Sequence, residues 1–140
     1  MKWLAVDYGD SRTGLAGCDE SETVTSPITP QIEEKSMNKV AAAVVDAARA
    51  RQAAGLVCGL PKNMDGTEGK RAEKSRRFAQ RLTTVSAAAI LADNDTFGQK
   101  RKEKLDSVSA AVILESFLNW RAHHPGETAP EQLMPRQEQA

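Results

Sequence analysis

Two carboxylates stand where carboxylates are costly. Asp7 ends the apolar run Trp3-Leu4-Ala5-Val6, and a glycine-punctuated turn then leads into a second apolar run through Gly14-Leu15-Ala16-Gly17-Cys18. Short apolar runs around a glycine turn read as a hairpin of two buried strands. Asp7 is therefore expected at the end of an interior strand, off the solvated face. An ionised carboxylate there is strongly disfavoured unless it is paired or binds a metal ion; the other reading is an Asp that closes the turn through its own backbone. The second acid is Asp106, which shares one helical face with Ala110, Ile113, Phe117 and Trp120. It either caps the helix N-terminus, where the dipole favours negative charge, or points into a site. His123 and His124 have no acid at metal-ligand spacing and read as spectators.

The elements that must position these acids follow from periodicity. After the hairpin, Val24-Thr25-Ser26-Pro27-Ile28-Thr29-Pro30 reads as a third strand, its two prolines tolerated only at a sheet edge or near the strand ends. Ser36 is a candidate N-cap for a helix whose apolar stripe is Met37, Val40, Ala41, Val44, Val45 and Ala48. Gly55 is expected to stop that helix, and Leu56–Leu60 to form a strand parallel to the first. Pro61 to Gly69 carries every turn signal. From Lys70 the pattern is helical and highly charged through Gln80, Ala87 to Leu91 resume a helical apolar run, and Asp93-Asn94-Asp95-Thr96-Phe97-Gly98 breaks it. A last helix spans about residues 104–120. The expected domain is 1–120, with 121–140 as a disordered C-terminal tail, since that stretch has no apolar period.

One domain of 140 residues is long enough to bury a core. The 19 Lys/Arg balance 19 Asp/Glu, so no global field argues for a nucleic-acid partner. The balance is uneven along the chain: residues 62–104 hold 11 Lys/Arg against 6 Asp/Glu, which suggests one basic face. Cys18 and Cys58 both lie in apolar runs, too few and too far apart for a zinc motif or a disulfide framework, and read as small core residues in a reducing compartment. With no signal peptide or membrane-length apolar stretch, the expectation is a cytoplasmic protein with no membrane partner.

Four stretches in this order resemble one known family. They are Asp7-Tyr8-Gly9-x-x-Arg12-x-Gly14-x-Ala16, Gly59-Leu60-Pro61-x-Asn63-Met64-Asp65-Gly66-Thr67-x-Gly69-x-Arg71-Ala72, Arg81-Leu82-Thr83-Thr84, and Asp106-x-x-Ser109-Ala110-x-x-Ile113-Leu114. Together they look like the successive motifs of the YqgF (RuvX) family, described both as pre-16S rRNA nucleases and as Holliday-junction resolvases. The resemblance implies an α/β, ribonuclease H-like mixed sheet flanked by helices, with three leading antiparallel strands.

One departure stands out. The family pattern has a further core strand ending in Asp-Glu just before the Arg-Leu-Thr-Thr motif, and that Glu is taken as catalytic. Here Ala79-Gln80 precede Arg81 directly. A strand of about 5–6 residues is absent at that point, together with one acid, and Ser86 replaces another acid common in the family. The expectation is a sheet lacking one core strand, with Lys70 to Leu91 able to run as one long helix. The vacated sheet position would fall to another chain or to residues 93–98.

The resemblance implies metal-assisted phosphodiester hydrolysis. Asp7 and Asp106 would be the catalytic acids and the ligands of Mg²⁺ or Mn²⁺, hard ions that take oxygen donors. Arg12, Lys62, Asn63, Arg71 and Arg81 would contact substrate phosphates. The implied substrate is structured nucleic acid, pre-16S rRNA during ribosome biogenesis or else branched DNA, acted on by a monomer or homodimer. Two other classes compete. One is a nucleotide-binding module, since the Asp7-x-Gly9 hairpin also resembles the phosphate loop of actin-like ATPases, but those need two such domains. The other is a nucleic-acid-binding scaffold whose active site has weakened with the absent acid.

Overall fold

Trp3–Asp7 forms β1 in the interior of a six-stranded sheet whose order is β3-β2-β1-β4-β5-β6. The computed structural model describes residues 1–84, 89–93, 106–129 and 132–133. Strands β2 (Arg12–Cys18) and β3 (Thr25–Glu33) follow β1 antiparallel, with Asp7 opposite Gly14. Strand β4 (Gly55–Leu60) lies parallel to β1 on its other side, with Val6 in register with Cys58. The hairpin, the edge position of the proline-bearing third strand and the parallel β1/β4 pair are as the periodicity requires. The third strand is longer than expected and reaches Glu33.

Helix α1 (Met37–Ala50) is capped by Ser36, whose hydroxyl accepts from the Lys39 amide at 3.4 Å. It ends before Gly55, contrary to expectation. Arg51 is the C-cap and Gln52 takes the left-handed turn at φ 57°. Gly55 instead opens β4, and a Cβ on it would sit 2.5 Å from the Trp3 ring. The glycine admits the indole.

The sheet has two cores because strand residues alternate faces. Leu4 and Val6 face α1 and α2 (Lys70–Thr84), where Val40, Val44, Phe78 and Leu82 are buried. Trp3 and Ala5 face α3 (Asp106–His123), packing with Ile113 and Phe117.

The expected long helix does not form. Helix α2 ends at Thr84, where the Thr83 and Thr84 hydroxyls donate back to the carbonyls of Gln80 and Arg81 at 2.6 and 2.7 Å. Ala89–Asp93 then forms β5, parallel to β4, where a helical run was expected over 87–91. The sheet position expected to fall to another chain or to residues 93–98 is thus filled by Ala89–Asp93. The physical reason is tertiary: β4 would otherwise present an unpaired backbone edge. Ile90 and Leu91, on alternate faces, are buried in the two different cores, as a strand covered on both sides requires. Alanine-rich helix propensity loses to that pairing. Ser86 and residues 94–98 lie outside the described residues.

The boundary at residue 120 also shifts. Helix α3 continues to His123, and β6 (Gln132–Leu133) pairs antiparallel with β5, so part of the expected tail belongs to the sheet.

Candidate active site at the carboxyl edge of the sheet

Parallel β1 and β4 end at the same edge, so Asp7 and the loop after Leu60 are neighbours by topology. Asp7 is half-buried and falls by alternation on the face covered by α3. The direction of α3 brings Asp106 to that same edge. Near the start of β1, the Trp3 ring packs edge-on against Phe117 at 4.9 Å, and the Arg121 guanidinium lies over the indole at 4.9 Å. Arg121, one turn beyond Phe117, also reaches Met1 Sδ at 3.8 Å, so α3 advances toward the chain preceding Trp3 and runs antiparallel to β1. From Phe117 back to Asp106 is about 16 Å of helix, and from Trp3 to Asp7 about 13 Å of strand. The first residue of α3 thus comes level with the last of β1.

The turn after Asp7 is braced from the other face. Tyr8 stacks on Phe78 of α2, with centroids 4.4 Å apart and planes 14° from parallel. Burial raises the Tyr8 pKa, and the nearby Asp10 carboxylate adds to the rise. Asp10 itself pairs with Lys74 of α2 at 3.0 Å. The Gly9 amide donates to the buried Thr13 hydroxyl at 3.4 Å, closing the turn on β2. These bracing residues were not singled out by sequence reasoning, although Tyr8 lies inside the first motif.

The loop from Pro61 to Gly69 is organised internally. Asn63 takes the Thr67 carbonyl through its backbone amide at 2.8 Å, and its side-chain amide donates to the Thr67 hydroxyl at 3.0 Å. Asp65 accepts from the Thr67 hydroxyl and amide, which holds its pKa below the usual carboxylate range. Met64 at the tip is fully exposed. Glu68 takes Arg76 in a bidentate pair at 2.6 and 2.7 Å, fixing the loop to α2.

Of the expected phosphate contacts, Arg12 opens β2 beside the Asp7 turn and is exposed. Lys62 and Asn63 lie in the loop after β4, and Arg71 is exposed in the first turn of α2. These four belong to the Asp7 edge. Arg81 does not: it sits on the last turn of α2, about 15 Å along the helix from Arg71.

The absent acid is not restored among the described residues, which contain no group of three or more His, Cys, Asp or Glu suited to a metal. Asp93 closes β5 at this edge, opposite Leu60. By residue type, the candidate donors are the carboxylates of Asp7 and Asp106. That set fits Mg²⁺ or Mn²⁺, which commonly bind through one or two carboxylates and complete their shell with water and substrate phosphates.

Comparisons with known proteins converge. The family model described as RuvX, Holliday junction resolvase, matches residues 1–83 and 80–120. Residues 80–83 are matched twice, so the end of α2 serves both as the close of one stretch and the opening of the next. A Ruegeria pomeroyi protein named as a pre-16S rRNA nuclease is 36% identical over 129 residues, 81% of this chain and 83% of that one. A Myxococcus xanthus protein of the same name is 34% identical over 143 residues, covering 91% and 93%. A third so named, from Carboxydothermus hydrogenoformans, is 32% identical over 87% of this chain and 99% of its own.

Proposed function

Because the chain belongs to the RuvX family, we propose that it is a nuclease that hydrolyses phosphodiester bonds of precursor 16S rRNA with Mg²⁺ or Mn²⁺. What supports this reading is that β1 ends in Asp7 and that α3, packed against β1 through Phe117 and Trp3, begins at position 106. Asp7 and Asp106 would hold the ion. When bound, the ion supplies charge neutralisation at the scissile phosphate and a water of lowered pKa. The chain's own residues then orient the substrate. Arg12 and Arg71, both exposed, would take non-bridging phosphate oxygens in charge-assisted hydrogen bonds. Lys62 adds positive charge, and Asn63 keeps the loop closed around Thr67. The Tyr8–Phe78 stack fixes the turn that carries Asp7. No described helix is long and apolar enough to cross a membrane; action on rRNA would be cytoplasmic.

The test is cleavage of a transcript spanning the 5′ end of 16S rRNA by wild type, Asp7→Asn and Asp106→Asn across a Mn²⁺ series. Both variants should fall to background while keeping the wild-type circular dichroism spectrum. Equal activity in all three overturns the reading. A second reading, an RNA-binding scaffold with weakened chemistry, is favoured by the lack of an acid before Arg81. It predicts tight RNA binding with no cleavage at any Mn²⁺ concentration. A four-way DNA junction in the same assay tests the resolvase description.

A further inference from the structure

Helix α2 carries six Lys/Arg and one Glu between Lys70 and Thr84, in a chain whose 19 Lys/Arg and 19 Asp/Glu balance only as a whole. Its buried side, from Ala72 through Phe78 to Leu82, holds no charge. The opposite side aligns Lys70, Lys74, Arg77 and Arg81 at i, i+4, i+7 and i+11, all exposed. Eleven residues make close to three turns, so the four fall on one line about 16 Å long.

We propose that this line is a track for the phosphodiester backbone of one substrate strand, guiding it along α2 to the Asp7 edge. The proposal rests on the reading above that the substrate is RNA. Charge complementarity identifies the occupant: a row of cations at near-regular intervals matches a row of phosphates. The stack of Phe78 on Tyr8 holds the track in fixed relation to the site, and Lys74 pairs with Asp10 at 3.0 Å. Arg77 pairs with Glu73 at 3.2 Å. Both ion pairs are largely exposed, and such pairs are weak enough for a phosphate to replace the carboxylate. The track also gives Arg81 a role: it is the far end of the backbone path.

The experiment measures binding of the same rRNA transcript by fluorescence anisotropy, in EDTA and over a range of salt concentrations. The full chain bears Asp7→Asn so that no cleavage intervenes. Lys70, Lys74, Arg77 and Arg81 are changed together to Gln, which keeps helix propensity. The two halves, Lys70/Lys74 and Arg77/Arg81, are also made separately in case the quadruple variant is poorly folded. A charge-matched control changes Lys35, Lys39, Arg49 and Arg51 to Gln. The track variant should bind at least tenfold more weakly, and its slope of log affinity against log salt should shrink by about 0.7–0.9 for each phosphate no longer neutralised. Each half should show an intermediate effect, and the control should bind as wild type does. Equal affinity and slope for track and control variants overturn the track. The cleavage assay with unmutated Asp7 separates the two claims: a cleaving wild type whose affinity ignores α2 leaves the nuclease and removes the track. Binding that depends on α2 without any cleavage does the reverse.

Discussion

The Tyr8 ring lies flat against Phe78, with centroids 4.4 Å apart, and this stack joins the turn after Asp7 to the middle of α2. Phe78 is fully buried. The stack therefore couples core packing on the α2 face to the placement of a carboxylate on the α3 face.

Removing that support should be costly. Phe78→Ala is expected to destabilise the fold by about 3–5 kcal/mol, and Phe78→Leu by less because most of the volume is kept. Urea unfolding with one m-value measures both. A loss below about 1 kcal/mol for the alanine variant would show that the ring is not a core support.

Gly9 admits no side chain. A Cβ there would strike the carbonyl oxygen of Arg12 across the turn, so the turn must open to accept one. Gly9→Ala should destabilise by about 1–3 kcal/mol and displace Asp7, lowering Mn²⁺-dependent cleavage even at temperatures where the protein stays folded. Cleavage at the wild-type rate would mean that the turn can shift without moving Asp7.

Glu22 provides a pH signature at the opposite end of the sheet. Its carboxylate accepts from Arg121 Nε at 2.9 Å and Nη2 at 3.1 Å, and from the N-terminal ammonium at 3.1 Å. The Arg121 hydrogen bonds, chiefly, hold its pKa below the ordinary carboxylate value. With the folded pKa depressed, the stabilisation is present above the unfolded value of about 4.3 and is lost as pH falls through the lower folded one. Wild type should exceed Glu22→Gln by about 1 kcal/mol at pH 7. That margin should close as the pH is lowered past the carboxylate range. A margin independent of pH would assign the effect to packing.

The two thiols should differ in reactivity. Burial pushes the Cys58 pKa up to about 12, while Cys18 is partly exposed and raised less, again mainly by burial. With iodoacetamide at pH 8 the native protein should be labelled slowly, at Cys18 first, and Cys58 should react only on unfolding. Mass spectrometry of the tryptic peptides reads the order. Early labelling of Cys58 would reveal opening of β4.

Much of the site was legible in the chain because it depends on local pattern. The apolar run ending in Asp7, the glycine turn, the loop from Pro61 to Gly69 and the acid heading an apolar helix each declare their element from a few neighbouring residues. The family motifs added the order in which those pieces meet. Tertiary structure decided what lies between them. Ala87 to Leu91 reads as helix by composition, yet Ala89–Asp93 becomes a strand because the open edge of β4 needs backbone partners and both faces of the sheet need covering. The bracing pairs, Tyr8 with Phe78 and Asp10 with Lys74, join residues more than sixty positions apart. No local period encodes such pairs; they arise because β4 returns the chain parallel to β1 and α2 must then lie back across the turn that carries Asp7.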